Sequence, residues 1–213
     1  MFKIRSSLVL ILVLITISWI TSTGIWKRIS ANLDINRTVK DPPGDKKAPT
    51  YFLKVRQARS FAIKNGFNDS ICFLIDMKIA SGNKRFFVYD IKNDSIISSG
   101  LVTHGRCNQM WLEGRKYGNE PGCGCTSLGK YKIGNAYNGR FGLAYKLHGL
   151  DKTNNNAFKR FVVLHSHDCV PASEVSDEIC QSDGCPTVSP DFLQELRLLI
   201  NNSRNPVLLW IFE

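Results

Sequence analysis

"ICFLIDMKIASGNKRFFVYDI", Ile71 to Ile91, decides the fold class. Ile71–Met77 and Arg85–Ile91 are short runs rich in β-branched and aromatic residues, and the "KIASGNK" between them carries turn formers, so the pair reads as two strands. Working outward, "SIISSGLVTH" (Ser95–His104) comes after the turn "KND". The series continues with "LGKYKIGNAY" (Leu128–Tyr137), "GLAYKLHGL" (Gly142–Leu150), "RFVVLHSH" (Arg160–His167) and the closing "PVLLWIF" (Pro206–Phe212). Two segments have helical spacing instead. In "TYFLKVRQARSFAIKNG", Phe52, Val55, Arg59 and Ala62 fall on one face and Gly66 is the stop. In "SPDFLQELRLLINN", Ser189 is the N-cap, Pro190 the first helical residue, and Phe192, Leu196 and Leu199 the stripe. Many short strands with two helices predict a mainly-β sandwich or barrel.

The chain of 213 residues has room for one domain with a real core. Its start is different in kind. Lys3 and Arg5 precede an apolar run that is dense from Leu8 to Ile20 and extends to Trp26. This is an export signal or an N-terminal membrane anchor through residues 8–26, and it places the remainder outside the cytoplasm. Residues 27–49, with three prolines and alternating charges, read as a linker. The expected partition is therefore 1–26 leader, 27–49 linker and 50–213 domain. The net charge of +10 divides along it: eight basic against three acidic residues up to position 50, twenty against fifteen beyond. A basic tail beside a membrane segment suits anionic lipid or cell-wall polymer. The domain has no basic helix interleaved with aromatics, so no nucleic acid is expected.

Seven cysteines in an exported chain form at most three disulfides and leave one over. A thiol becomes a nucleophile beside a base, most often histidine, and there are four. His104 and His148 read as ordinary strand residues. Strand alternation gives Phe161, Val163, His165 and His167 one face, so both histidines of "LHSH" are candidates. In "SDGCP", Gly184 permits a sharp turn and the ring of Pro186 fixes the backbone just after the thiol. Such a setting presents the Cys185 thiol and nearby N–H groups to one carbonyl. The alternative for Cys185 is a small buried hydrophobe or half of a disulfide. A zinc site on Cys123, Cys125 and His104 is a rival reading, although C-x-C lacks the spacing of common zinc knuckles.

The order His165, sixteen residues, then Ser182-Asp183-Gly184-Cys185, resembles the signature of YkuD-type L,D-transpeptidases of the cell wall. "GCPTV" is nearer to the murein L,D-transpeptidase catalytic-domain-like subfamily. "FLIDMKIASGNKRFFVYDI", "LVTHG", "NEPGCGCTSLGKYKIG" and "GRFGLAYKLHGLD" resemble further blocks of it, so that the likeness covers roughly residues 55–212. It implies Cys185 as nucleophile, His165 as general base, Gly184 with the backbone N–H groups around Cys185 at the oxyanion, and Ser182 shaping the turn. Ser127 and Tyr131 match a block flanking the cleft, and with His167 and Asp183 they are the candidates for substrate contact. Four positions depart from the pattern: Ser166 for the usual glycine, Asp183 for the second histidine, Gln181 for an arginine, and Cys169 for an aromatic.

The resemblance implies acyl transfer on peptidoglycan stem peptides: a Cys185 thioester, loss of terminal D-alanine, then attack by an amine or by water. This chemistry needs no metal or organic cofactor. A papain-like or NlpC-type peptidase has the opposite order of cysteine and histidine. The alternative is a catalytically silent, disulfide-rich wall-binding domain of the same fold. Cys169 and Cys180, flanking the loop between His165 and Cys185, are expected to pair; one of Cys123 and Cys125 is expected to pair with Cys107.

Overall fold

The computed structural model describes residues 50–213, with side chains from Leu53 onward. The leader and linker expected over 1–49 lie outside the described residues.

Cys72, Phe73, Leu74 and Ile75 are all fully buried. A strand puts successive side chains on opposite faces, so β1 (Ile71–Asp76) must be covered on both sides, and this sets the layers. Phe73 and Ile75 point into an inner core with Phe86, Val88, Leu209 and Ile211. Cys72 and Leu74 point the other way and join Leu208 and Trp210 under the first helix. β1 lies between β2 (Phe86–Asp90), antiparallel with Phe73 opposite Val88, and β8 (Leu208–Phe212), parallel with Phe73 opposite Leu209. The remaining strands are β3 (Ser95–Gly100), β4 (Gly129–Gly139), β5 (Gly142–Gly149), β6 (Val163–Ser166) and β7 (Thr187–Val188). All eight form one mixed sheet in the order β3-β2-β1-β8-β4-β5-β6-β7.

The ends of this sheet meet. Beyond β3 the chain runs on to Thr103, whose N–H donates to Thr187 O (2.9 Å), while Thr187 N–H donates to Thr103 Oγ1 (3.1 Å). The sheet therefore curls round the inner core as a mainly-β, barrel-like fold. α1 (Thr50–Lys64) packs Val55, Ala58 and Ala62 on the outer face, and Gly66 (φ 70°) ends it, with Phe67 N–H returning to Ala62 O. Arg59, placed on the apolar stripe by its spacing, is exposed; Ala58 takes that place. α2 (Pro190–Asn201) begins as its sequence predicts, with Ser189 Oγ accepting from Phe192 N–H (3.3 Å), and it seals the inner core with Phe192, Leu193 and Leu196.

The strand expected over 160–167 is shorter than its apolar pattern. Phe161 has φ 57° and is 83% exposed, at the end of a run of turns, so it does not share a face with Val163 and His165. β6 starts only at Val163.

Arg85 crosses the interior without any exposure. Its Nε and Nη2 donate to Val102 O (2.9 and 2.7 Å), Nη1 donates to Ile79 O (3.2 Å), and Nη2 meets His104 Nδ1 (3.2 Å). A guanidinium only donates, so Nδ1 accepts and His104 is neutral with its proton on Nε2. Burial, then the charges of Arg115 and Arg85, lower the His104 pKa to about 4. The folded state thus resists a proton that the unfolded chain takes up near 6.5. The stability that depends on neutral His104 is complete above about pH 6.5 and falls as the pH drops towards 4, by roughly 3 kcal/mol. Urea unfolding across that range is expected to show the wild type losing more stability than His104→Gln by about this amount; parallel losses would refute it.

Candidate active site

Parallel pairing of β6 with β7 sets His165 opposite Thr187 and Ser166 opposite Val188. Cys185 lies two residues before Thr187, on the approach to β7. The Ser182-Asp183-Gly184 turn that delivers it is held from several sides. Ser182 N–H donates to His104 O (2.9 Å), and Ser182 Oγ accepts from Gly184 N–H (3.2 Å) and donates to Cys185 O (2.7 Å). Thr103 Oγ1 also donates to Cys185 O (3.1 Å). Gly184 has φ 105°, and a Cβ there would stand 2.5 Å from Cys125 O, so two independent constraints require glycine.

The thiol faces backbone. Val163 N–H donates to Cys185 Sγ (3.4 Å), and Phe161 O lies 3.8 Å away as acceptor of the S–H. Phe161, two residues before Val163, is left-handed (φ 57°). Partial burial pushes the Cys185 pKa up, Val163 N–H and then Arg160 pull it down, and Asp183 adds to the rise. The resting thiol is thus protonated near neutral pH.

His165 is 6% exposed. Its Nδ1 is 3.0 Å from Ser166 O, and a carbonyl only accepts, so Nδ1 carries the proton and Nε2 the lone pair. Nε2 faces Thr187 Oγ1 at 3.1 Å, and Phe141 stacks on the ring with 5.1 Å between centroids. Burial holds the His165 pKa below its ordinary value, with Ser166 O partly opposing. No hydrogen bond joins His165 to Cys185 among the described residues. The Thr187 hydroxyl stands at the Nε2 position a thiol proton would need, and its other neighbour is Cys185 O at 3.4 Å.

The other candidates take different places. Gly184 N–H, expected at the oxyanion, is occupied by Ser182 Oγ; Cys185 N–H is the nearby donor without a partner among the described residues. Ser127 is buried and donates to Gly118 O (2.7 Å). Tyr131, a candidate for substrate contact, is fully enclosed in the inner core, where its hydroxyl donates to Ser127 O (2.6 Å). His167 is exposed, edge-on to Phe141, and accepts from Cys169 N–H (3.1 Å). Asp183 points to solvent and pairs with Arg106 (2.7 Å). Gln181 spends its amide on Leu112, accepting from N–H and donating to O, each at 2.8 Å.

Arg160 is the residue that sequence reasoning missed. Nη2 donates to Cys125 O (2.6 Å), Nη1 donates to Gly118 O (3.0 Å), and Nη1 also meets Ser127 Oγ. A Cβ on Gly184 would lie 3.1 Å from Nη2, so the guanidinium rests against the turn that precedes Cys185. Its signal was hidden because Arg160 reads as the first polar residue of a strand rather than as the end of a turn.

Cys169–Cys180 and Cys107–Cys125 are disulfides, and Cys72, Cys123 and Cys185 are free. The single leftover thiol expected from counting is thus three. Cys72 is sealed under α1 with its pKa raised to about 12 by burial. With Cys125 bonded to Cys107, the zinc set of Cys123, Cys125 and His104 loses a ligand; among the described residues no three His, Cys, Asp or Glu are grouped to hold a metal.

Gly184→Ala is expected to cost about 2 kcal/mol or more in thermal or urea unfolding, since the new methyl meets backbone; a wild-type midpoint would contradict the contact. Arg160→Ala is expected to slow iodoacetamide labelling of Cys185, read by peptide mass spectrometry, about threefold to tenfold near pH 8, with Arg160→Lys between the two. An unchanged pH profile would remove Arg160 from the thiol's electrostatics.

The sequence pattern of a family described as "L,D-transpeptidase catalytic domain", YkuD_2, matches residues 45–210. No curated protein matches the chain. Among solved structures, an L,D-transpeptidase from Mycobacterium smegmatis aligns at TM-score 0.41 and 11% identity, over 68% of this chain and 59% of its own length. The helical cell shape determining protein Pgp2 from Campylobacter jejuni aligns at TM-score 0.42 and 13% identity, over 75% and 54%. An L,D-transpeptidase from Stackebrandtia nassauensis aligns at TM-score 0.37 and 13% identity, over 78% and 68%. The chain spans less than two thirds of the first two structures. With 45–210 of its 213 residues matched by that pattern, the chain belongs to the family of YkuD-type L,D-transpeptidase catalytic domains.

Proposed function

We propose that this domain performs cysteine-dependent acyl transfer on peptidoglycan stem peptides. The observation that carries the reading is the β6–β7 pairing, which brings the neutral, Nδ1-protonated His165 and the approach strand of the free Cys185 to one place. Family membership supplies the reaction class.

Arrival of substrate turns the Thr187 hydroxyl away from His165 Nε2, which then takes the Cys185 S–H proton. Sγ attacks the carbonyl on the L-centre of the third stem residue, and Cys185 N–H donates to the developing oxyanion. Collapse breaks the amide bond, and the departing D-alanine nitrogen takes the proton from His165. A thioester remains. An amine of a neighbouring stem, a lipoprotein amine or water then attacks it, His165 takes the attacking group's proton, and the Cys185 sulfur leaves and regains that proton as the thiol. Ser166 O holds the imidazole in the working tautomer throughout. Ser182 and Gly184 keep the turn in shape, and the Tyr131 hydroxyl holds Ser127 O. His167 and Asp183, both exposed near the turn, are the substrate-facing candidates.

In this reading residues 1–26 export or anchor the chain, 27–49 tether it, and 50–213 work in the cell envelope. No helix among the described residues is long and apolar enough to cross a membrane, and residues 8–26 fall outside that set. A second reading, a silent wall-binding domain of the same fold, is favoured by one observation: the resting thiol bonds to Val163 and Phe161 rather than to His165.

The domain from residue 50, incubated with tetrapeptide muropeptides and followed by mass spectrometry, is expected to release D-alanine. Cys185→Ala and His165→Ala are expected to reduce release by about a thousandfold or more, and a carbapenem to label wild type but not Cys185→Ala. Folded protein that neither turns over nor acylates would leave the silent reading.

A further inference from the structure

Acyl transfer at Cys185 leaves one cavity of the domain unexplained. Where β4 breaks register between Ile133 and Ala136, a cavity of about 550 Å³ opens against the end of α2. Its rim carries Lys132, Lys146 and Arg204, with His148 beside them, and no carboxylate lines it. All three cations are exposed, and none has an ion-pair partner among the described residues. The volume suits a small ligand or a polymer segment, and its lining is more polar and cationic than an apolar guest would select.

The surroundings keep this charge available. Lys146 Nζ lies over the Tyr137 and Phe158 rings, at 5.7 and 5.8 Å from their centroids, contacts that orient the ammonium without neutralising it. His148 stacks on Phe158 (4.9 Å), and burial with Lys132 and Lys146 keeps its pKa low, so it stays neutral and presents an uncharged ring. Asn201 Oδ1 accepts from Tyr145 OH (3.1 Å), which leaves its Nδ2 hydrogens as donors. The partial negative charge at the end of α2 is about half a unit, against three full positive charges.

Strand register links the pocket to the region of Cys185. Lys146 pairs with Val163, whose N–H reaches the Cys185 sulfur, and Ala144, two residues from Lys146 on the same face, pairs with His165. We propose that this pocket is a binding site for a multivalent oxyanion, the carboxylates or phosphates of a cell-wall polymer, one strand away from the nucleophile. The polymer as source rests on the acyl-transfer reading; anion binding itself does not.

The test uses the Cys185→Ala domain, which cannot turn over, titrated by calorimetry at low ionic strength with inorganic pyrophosphate. Saturable binding is expected, about tenfold or more weaker in Lys132→Ala/Lys146→Ala/Arg204→Ala, with Lys132→Arg/Lys146→Arg retaining it. These side chains are exposed, so an unchanged melting temperature is expected to certify the fold. No saturation, or equal affinity in the triple alanine variant, overturns the site. Parallel titrations with a stem tetrapeptide and a glycerol-phosphate oligomer assign the source, and pyrophosphate binding with neither polymer bound overturns the polymer assignment. If D-alanine release fails while anion binding stands, the acyl-transfer reading falls and the pocket does not.

Discussion

The hydrogen bonds between Thr103 and Thr187 are the constraint on which the rest of the architecture depends. They join the two ends of an eight-stranded sheet, and the same two threonines reach Cys185 O. Closure of the sheet and placement of the thiol are therefore one event. An open sheet would leave β7, only two residues long, paired with β6 alone, and the Cys185 carbonyl would lose its bonds from Thr103 and Thr187. The buried Arg85–His104 pair works to the same end, because His104 O receives Ser182 N–H while its ring is held from inside.

Local chemistry made much of this legible in the sequence. The apolar runs from Ile71 and Arg85 became β1 and β2, and Ser189-Pro190 opened α2 where capping rules place it. Gly184 was readable as a turn, although the stronger reason for glycine, the Cys125 carbonyl against its Cα, is a contact between residues 59 apart in the chain. Pairing of Cys169 with Cys180 was legible because both flank one loop.

Features that escaped the sequence depend on tertiary surroundings. Alternation carried the strand at "RFVVLHSH" through Phe161, but alternation cannot register a left-handed residue whose side chain goes to solvent. On either side of that reversal, Phe161 O and Val163 N–H meet the sulfur and Arg160 donates to Cys125 O. Thr187 was equally hidden: a small hydroxyl residue in a short strand carries no signal until the register sets it beside an imidazole. Cysteine counting allowed three bridges where two form, because Cys72 is a core hydrophobe under α1 and Cys123 also stays free.

Cys72 also gives the outer layer a built-in gauge. Its sulfur is sealed beneath α1, the helix that comes directly after residues 1–49, and it becomes accessible only when that helix lifts from β1 and β8. α1 covers the flank of β1 opposite the inner core. The rate at which a thiol reagent finds Cys72 would thus count detachments of α1, separately from the reactivity of Cys185.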